Sequence, residues 1–358
     1  MKIANRRTRT LLTAAVAAQA VVLTLGLSAC SRASSSPTAS SDQGPAAELR
    51  LGYFPNVTHA AALVGLDKGF FAKELGSTKL TPQSFNAGPD EVSALLGKSL
   101  DAAFVGSGPA INAFAKSDGQ DVRLVAGATS GGAQLVVANG INSPSDLIGK
   151  TVATPQLGNT QDVSLKTWLA KNNLTGKVKV ENLANPDTLS QFQKGAIQGA
   201  WLPEPWSSQL VLTGGAKVLV DESSLWSGGQ FPTTVLIVRT QFLQEHPATV
   251  QALLKGELDA INWAKANNSA AEAAVNDELK QLTGKALPQA VIDRAFGKIQ
   301  LTVDPLAVDF PELSKDQVTA GIVKSAPSVN GFADLGLLNK ELKAANQPAV
   351  SAAGIGTN

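Results

Sequence analysis

The sequence predicts an α/β protein in which two mostly parallel sheets form two domains. Short apolar runs alternate along the chain with longer segments of helical periodicity, which is the pattern of βαβ units. The alternation occurs twice, over about 48–107 and again over about 150–205. About 310 residues lie from residue 48 onward. That length is enough for two domains of ordinary size, each with its own core.

The N-terminus carries the features of an exported lipoprotein. Four basic residues precede an apolar stretch, 11–27, which ends in Leu27-Ser28-Ala29-Cys30. This arrangement predicts a signal peptide over 1–30 with a lipobox, in which Cys30 is acylated and becomes the new N-terminus. The stretch is rich in Ala and Thr and interrupted by Gln19, whereas a spanning helix needs about 20 strongly apolar residues. A single buried cysteine is the alternative reading, and the pair Arg6-Arg7 leaves twin-arginine export open.

Composition restricts what the rest of the chain can do. Residues 31–47 form a Ser/Ala/Pro tract with almost no large apolar side chain, which predicts a disordered tether. Cys30 is the only cysteine, so disulfides and cysteine-based metal or nucleophilic sites are not expected. The chain has 30 Lys+Arg against 29 Asp+Glu. No single-sign field therefore draws it to nucleic acid or to an anionic membrane surface.

The two halves are predicted to share one order of elements. The first half has strands at 48–54, 79–85 and 101–107, with helices at about 58–75 and 89–97. The second has strands at 150–155, 177–183 and 199–205, with helices at about 160–172 and 187–194. Residues 100–107 align with 197–204, which indicates a weak internal repeat. The alternative is that any two βαβ units share small residues and apolar strands.

Three loops are expected to meet where strands lead into helices, at 54–59, 106–109 and 157–161. Ligands of open α/β sheets bind at the carboxyl ends of the strands. The hydroxyls of Thr58, Ser107 and Thr160 are predicted to cap the helices that follow. None of the loops contains Lys or Arg, so an anion would be held by neutral donors at helix N-termini. The alternative is three ordinary capped helices.

Four segments resemble one protein family. LGYFPNVTHAAALVGLDKGFF, AAFVGSGPAINAF, LGNTQDVSLKTWL and GAWLPEPWSSQL are similar to the nitrate/sulfonate/taurine branch of ABC-importer solute-binding proteins, closest in appearance to aliphatic sulfonate-binding lipoproteins. The resemblance runs from about residue 48 to the C-terminus. It implies a periplasmic-binding-protein type II fold, in which two α/β lobes joined by two crossover strands close over a ligand.

The resemblance also implies the boundaries of the lobes. The β-rich run 123–139, broken by Ser130-Gly131-Gly132, and the run 231–239 are the expected crossovers. Lobe 1 is then discontinuous, at 48–131 and 237–358, and lobe 2 covers 132–236. The helical segment 247–343 is expected to pad lobe 1.

The binding positions of the family fall on both lobes. The candidate ligand-binding residues are Asn56, Thr58, His59, Ser107, Gly108, Ser130, Gly131, Asn159, Thr160, Gln161, Glu204 and Trp206. Trp226 and Phe231 are either apolar walls for an organic tail or core residues, and His59 either donates to the ligand or packs. Glu204 either pairs with a cationic group on the ligand or accepts from a protein donor such as His59 or Trp226.

The function implied is that of an extracytoplasmic, lipid-anchored monomer that captures a small organic sulfonate and delivers it to the permease of an ABC importer. Taurine, nitrate and other small oxyanions are alternative ligands. No cofactor is expected, and no metal, because Asp67, Asp90 and Asp101 are dispersed rather than clustered. A secreted hydrolase is the rival class. It is disfavoured because His59 and His246 are the only histidines and no free cysteine remains.

Overall fold

The structure is a computed structural model that describes residues 42–357. The predicted signal peptide, the lipidation site Cys30 and most of the predicted tether lie outside these residues and stay predictions. From residue 48 onward the chain forms two sheets with helices packed on them.

The first sheet has six strands in the order β11-β4-β10-β3-β1-β2. β1 is parallel to β2 and β3, whereas β10 runs antiparallel to β3 and β4. The strands come from both ends of the chain, as the predicted discontinuous lobe requires. Their bounds are β1 Glu48–Tyr53, β2 Lys79–Ser84, β3 Ala102–Gly106, β4 Val122–Gly131, β10 Pro232–Arg239 and β11 Ile299–Leu301.

The second sheet has five strands in the order β7-β6-β8-β5-β9, all from the middle of the chain. β6 is parallel to β7 and β8, and β5 runs antiparallel to β8 and β9. Their bounds are β5 Ala133–Val137, β6 Thr151–Thr154, β7 Lys179–Asn182, β8 Gly199–Pro203 and β9 Lys217–Asp221.

Strand register is equivalent in the two halves, as the internal repeat predicted from sequence requires. Ala102 and Ala103 of β3 pair with Leu51 and Gly52 of β1. The aligned positions 199 and 200 of β8 pair in the same way with residues 152 and 153 of β6. Each half is thus one βαβαβ unit whose parallel strands end at the same edge of its sheet.

Two connections join the sheets. β4 ends at Gly131 and β5 begins at Ala133, so the first crossover is a nearly continuous strand interrupted at two glycines. Gly131 and Gly132 have φ values of +70° and +80°, which residues with a Cβ rarely adopt. The second crossover is residues 222–231. The two α/β lobes are therefore confirmed, and the first predicted crossover joins them. The predicted crossover 231–239 is wrong, because residues 232–239 form β10 inside the first sheet and the connection itself consists of 3₁₀ turns. The predicted boundary at 131/132 falls between the two glycines, and that at 236/237 falls inside β10.

Helices cover the faces of both sheets. The predicted helix over 58–75 is divided, because Gly69 at φ +72° separates α1 from α2 and a 3₁₀ turn, Val57–His59, precedes α1. The helices that follow strands of the two βαβαβ units are α1 Ala60–Asp67, α2 Phe70–Leu75, α3 Gly88–Leu96, α4 Ser107–Lys116, α5 Thr160–Lys171, α6 Asn185–Gln193 and α7 Trp206–Gly214.

The C-terminal helices do more than pad lobe 1. α8 Thr240–Glu245, α9 Pro247–Ala266, α10 Asn268–Thr283 and α13 Gly336–Ala344 pack within lobe 1, with α9 against α1 and α2. In contrast, α11 Gln289–Phe296 contacts α7, and α12 Phe310–Thr319 contacts both α4 and α5. These two helices therefore touch lobe 2 as well. Among residues 42–357, no helix is both long and apolar enough to cross a bilayer.

Each sheet has its own apolar core. In lobe 1, strands and helices bury one continuous cluster that includes Phe71, Phe104 and Phe310. In lobe 2 separate clusters cover the two faces of the sheet, and fully buried Trp201 meets Trp168 edge-on at 6.3 Å between ring centroids. Separate cores allow each lobe to stay rigid while the crossovers bend.

The first described residues are held against lobe 1 at the junction of α8 and α9. The Gln43 N–H donates to the Glu245 carbonyl at 2.7 Å, and His246 Nδ1 donates to the Gly44 carbonyl at 2.8 Å. The Ala46 N–H donates to Thr249 Oγ1 at 2.8 Å. Three hydrogen bonds thus fix the chain before β1 begins.

Candidate ligand-binding cleft

A small cavity lies between the lobes at the carboxyl ends of the parallel strands. Its volume is about 10 Å³, which is room for about one water molecule. Larger spaces of about 850, 660 and 280 Å³ also occur among the described residues, and that of about 280 Å³ is lined by Pro109 and Gly158 of the same strand-end loops. The small cavity is the one that gathers polar side chains of these loops from both lobes. It is lined by Phe54, Asn56, Thr58, His59, Asn86, Gly106, Asn159, Thr160, Gln161, Asn185, Pro203, Thr233 and Thr234.

Two helix N-termini from opposite lobes meet beside this cavity. The Gly108 N–H in the first turn of α4 donates to Thr160 Oγ1, the first residue of α5, at 3.2 Å. Thr160 therefore caps the helix of the opposite lobe rather than its own. Neither α4 nor α5 has a side-chain cap of its own, so the capping roles predicted for Ser107 and Thr160 are wrong. The 3₁₀ turn that contains Thr58 also lacks a side-chain cap.

Glycine is needed at position 106 for this approach. A Cβ on Gly106 would lie 2.3 Å from Thr160 Oγ1, closer than non-bonded atoms approach. A Cβ on Gly108 would lie 3.2 Å from Thr160 Cα. The positive ends of two helix dipoles are thus brought together by the absence of side chains, which concentrates N–H groups at one point.

Several buried polar atoms here have no hydrogen-bond partner. Thr234 Oγ1 and Asn185 Oδ1 belong to the cavity lining, and Ser107 Oγ lies at the start of α4, all within nearly inaccessible residues. A buried polar atom without a partner costs about 1–3 kcal/mol. The two hydroxyls are donors available to an oxyanion, whereas the assignment of the Asn185 amide oxygen depends on which way the side chain is turned.

His59 is neutral and already paired. Burial lowers its pKa to about 3. Its Nε2 lies 3.1 Å from the Phe104 carbonyl oxygen, an atom that only accepts, so the proton is on Nε2. Nδ1 is then an acceptor and lies 3.3 Å from Thr58 Oγ1. The ring also packs on Phe54 with 4.4 Å between centroids. This geometry favours the packing role of His59 over donation to a ligand.

The loop after β8 closes onto the loop after β1. Trp206 Nε1 donates to Asn56 Oδ1 at 2.6 Å, and the Thr58 N–H donates to the Glu204 carbonyl at 3.3 Å. The Glu204–Pro205 peptide bond is cis. Main-chain and side-chain bonds of this loop therefore hold the two lobes together directly.

The Glu204 carboxylate points away from the cavity. Its oxygens accept from Arg294 Nη1 at 3.1 Å and from the Ser208 N–H at 3.0 Å. Neither His59 nor Trp226, the donors considered from the sequence, is its partner. Burial raises the pKa of Glu204 above its ordinary value, while Ser208 and Arg294 oppose that rise.

The remaining candidates lie at the hinge or farther away. Ser130 Oγ accepts from the Phe231 N–H at 3.2 Å, and Gly131 ends β4, so both belong to the crossover and not to the cavity lining. Trp226 packs on Phe231 at 5.2 Å between centroids, and Trp226 also lines the outer groove of about 660 Å³. Among the described residues, no cluster of three His, Cys, Asp or Glu side chains is placed to hold a metal.

Four polar lining residues were missed from the sequence. Thr233 and Thr234 lie at the start of β10, where the pattern showed only an apolar strand. Asn86 and Asn185 lie at the starts of α3 and α6. A repeated signal marks this turn, since Gly88-Pro89-Asp90 and Asn185-Pro186-Asp187 occupy the same place in the two halves.

Known proteins resemble this chain in both sequence and fold. The taurine-binding periplasmic protein of Escherichia coli (strain K12) is 33% identical over 193 residues, which span 53% of this chain and 58% of that protein. The putative aliphatic sulfonates-binding protein of Bacillus subtilis (strain 168) is 28% identical over 255 residues, 70% of this chain and 74% of that protein. The resemblance to sulfonate- and taurine-binding proteins is therefore confirmed.

Solved structures agree on the fold. The alkanesulfonate-binding protein SsuA from Xanthomonas axonopodis pv. citri, bound to MOPS, has a TM-score of 0.64 at 23% identity, covering 77% of this chain and 92% of that one. The desulfurization enzyme DSZB has a TM-score of 0.62 at 15% identity, covering 84% and 100%. At such identities the likeness shows the fold alone, and this fold supports both binding and catalysis.

The family itself is identified by a match over residues 42–276, more than half of the chain, to the profile of the NMT1-like family. The matched region contains both βαβαβ units, both crossovers and every residue that lines the cavity. The protein therefore belongs to the NMT1-like family.

Proposed function

We propose that the protein is the extracytoplasmic solute-binding lipoprotein of an ABC importer and that it captures a small organic sulfonate. The observation that carries this proposal is the meeting of the α4 and α5 N-termini across a cavity between two lobes joined by a glycine hinge. Such a site binds by closure and releases by opening, which is what delivery to a membrane permease requires.

The chemistry of the cavity lining favours an anion. The lining contains no Lys, Arg, Asp or Glu, and its histidine is neutral. Main-chain N–H groups at two helix starts and the hydroxyls of Thr234 and Ser107 are donors, and the lining has no carboxylate. Asp162, which is buried in the first turn of α5, is paired with Lys166 at 2.8 Å. In a site closed off from water, such fixed dipoles bind an oxyanion with little reorganisation. A sulfonate or nitrate satisfies donors of this kind on several oxygens at once.

The size of the cavity bears on how the ligand enters. A space of about 10 Å³ holds about one water molecule, and an organic sulfonate is larger. We therefore expect the lobes to open for the ligand to enter and to close again around it, with the lining side chains displaced and the α4–α5 contact re-formed. Bending at Gly131-Gly132 and at residues 222–231 would supply that movement.

The choice of a sulfonate over nitrate or taurine follows the relatives. The taurine- and aliphatic sulfonates-binding proteins are similar over 53% and 70% of this chain, and SsuA with MOPS is a sulfonate complex of the same fold. Taurine and nitrate are the alternatives. Selection of taurine over a simple sulfonate is disfavoured, because Glu204 does not line the cavity and no lining carboxylate is present to pair with an ammonium group.

A hydrolase is disfavoured on the described residues. The stretch 42–357 contains no cysteine. His59 is engaged with the Phe104 carbonyl, and His246 with the Gly44 carbonyl. The described region therefore offers neither a cysteine nucleophile nor an unengaged histidine base.

A thermal-shift panel tests the proposal. Purified protein is heated with ethanesulfonate, MOPS, taurine, nitrate and sulfate, and with chloride at equal ionic strength as the control. A ligand at a hundred times its Kd stabilises by about 2.7 kcal/mol. We expect the sulfonates to give saturable shifts that EDTA does not abolish. No shift with any oxyanion, or turnover of a sulfonate detected by mass spectrometry, would overturn the proposal.

A further inference from the structure

The segment that contains α11 and β11 connects the lobes at a place outside both crossovers. α11 packs on α7 of lobe 2. β11 follows directly and pairs with β4 of the first sheet, with Ile299 opposite Gly131. The segment lies beyond residue 276, where the family match ends. It is therefore a third link between the lobes and adjoins the hinge.

One side chain of this segment contacts three lobe 2 residues. Arg294 Nη1 donates to Ser208 Oγ at 2.6 Å and to Glu204 Oε1 at 3.1 Å, while Nη2 donates to Gln134 Oε1 at 2.8 Å. Glu204 and Gln134 are fully buried, and 18% of the Arg294 side chain is exposed. The fork of the guanidinium is needed to reach all three acceptors, because an ammonium is a single point.

The same contact leads into the cleft. Glu204, held through its carboxylate by Arg294, accepts the Thr58 N–H through its carbonyl. Two residues later, Trp206 donates to Asn56. Thr58 and Asn56 both line the cavity. The guanidinium therefore sets the position of the loop 203–206, which makes the closing contacts.

We propose that Arg294 is a positioning residue for ligand capture, which holds the loop 203–206 so that it closes onto Asn56 and Thr58. This inference rests on the proposed binding function and adds that the C-terminal segment controls how long the cleft stays shut. Arg294 does not line the cavity and touches no ligand in this scheme. Its loss is expected to speed ligand release and leave capture nearly unchanged.

The surroundings of Glu204 give a second expectation. Arg294 is the cation that faces its carboxylate, and Ser208 on α7 supplies an N–H. Asp221 lies on the far side of Gln134, which donates to it, and Lys298 lies 3.8 Å from Asp221. His59 is uncharged. Without Arg294, Glu204 takes up a proton at higher pH. The defect should therefore shrink as the solution is acidified, since a neutral carboxyl needs no cation.

A matched control exists in lobe 1. Arg239 Nη2 pairs with buried Asp101 at 2.7 Å, at the amino end of β3, the end opposite the cleft. Arg239→Met removes one of the two arginines that pair with buried Asp101, since Arg50 Nη2 also lies 2.7 Å from it, and it leaves the loop 203–206 untouched. Arg294→Gln, which keeps an amide donor, is the milder companion to Arg294→Met if the latter folds poorly.

The experiment measures main-chain exchange and ligand kinetics on the same variants. Hydrogen–deuterium exchange of peptides that cover Thr58 requires no ligand, and we expect it to be faster in Arg294→Met than in wild type or Arg239→Met. With ethanesulfonate as probe, Arg294→Met should dissociate roughly tenfold faster or more, with association changed less than about threefold. Lowering the pH from 7.5 to 5 should reduce this difference, and should not do so in the double variant with Glu204→Gln.

Equal exchange at Thr58 in Arg294→Met and Arg239→Met would overturn the inference, as would equal dissociation rates. If wild type does not bind ethanesulfonate, the proposed sulfonate function fails, and the exchange comparison still decides the role of Arg294 in positioning the loop.

Discussion

Gly106→Ala should keep the lobes apart without weakening either lobe. The added Cβ lies 2.3 Å from Thr160 Oγ1 of the opposite lobe, and its next neighbours, Thr160 Cβ and Pro109 Cδ, are at 3.4 and 3.5 Å. Gly106 has φ −65° and ψ 150°, which alanine adopts freely. The clash therefore exists only when the lobes are closed.

The substitution should weaken ligand binding without lowering the stability of the unliganded protein. Overpacking of this kind costs about 1–3 kcal/mol, and 1.4 kcal/mol is a factor of ten in Kd. The Kd for ethanesulfonate should therefore rise by roughly 5- to 150-fold. Without ligand, the free energy of unfolding should be unchanged or higher by about 0.4–1 kcal/mol, because alanine restricts the unfolded chain.

Calorimetry and urea unfolding measure the two quantities on the same protein. Gly106→Ala/Thr160→Ala removes the clashing oxygen, so it should bind more tightly than Gly106→Ala, although it loses the Gly108 hydrogen bond. Wild-type affinity in Gly106→Ala would refute the idea that the α4–α5 contact forms in the bound state. So would strictly additive losses in the double variant.

Three further expectations follow from the same structure, and a fourth follows from the N-terminal sequence. Glu204→Gln should weaken taurine and ethanesulfonate equally in calorimetry, because its carboxylate meets Arg294 and not the cavity; selective loss of taurine would show contact with the ammonium. Ser107→Ala should weaken the binding free energy by a few kcal/mol at most, and an unchanged Kd would remove this hydroxyl from the site. Burial raises the pKa of Glu222 to about 8, so this group lowers stability as pH rises from its unfolded value through 8. Glu222→Gln should therefore gain a few kcal/mol over wild type in urea unfolding at pH 9 and little at pH 4, and a gain independent of pH would contradict this. Cys30→Ser should move the protein out of the membrane fraction, and retention with the same acyl mass would exclude Cys30 as the lipid anchor.

The local sequence pattern was sufficient to predict the strands and helices that surround the cleft. The strands β1, β3, β6 and β8 and the helices after them follow from apolar runs bounded by glycine and proline, and the repeat follows from aligned strand ends. The loops 56–59 and 159–161 reach the cavity for the same reason, since parallel strands end at one edge of a sheet.

The predictions that failed concern contacts between segments that are distant in sequence. Thr160 has the residue type and place of an N-cap, yet its hydroxyl serves the helix of the other lobe, 52 positions away. Thr234 reaches the cavity because β10 enters the first sheet antiparallel beside β3, a pairing that its own sequence does not reveal. Arg294 sits in an amphipathic helix where arginine is usually solvated, and only the fold brings it to Glu204.

The three hydrogen bonds that hold residues 43–46 to the α8–α9 junction determine which lobe carries mechanical load. Anything attached upstream of residue 42 pulls on lobe 1, whose sheet contains β1 and β10. Within the described residues, lobe 2 has no such attachment and is connected to the upstream segment through lobe 1. A molecule held through its N-terminal segment would therefore be attached by lobe 1, and lobe 2 would be the lobe that moves relative to the point of attachment when the cleft opens.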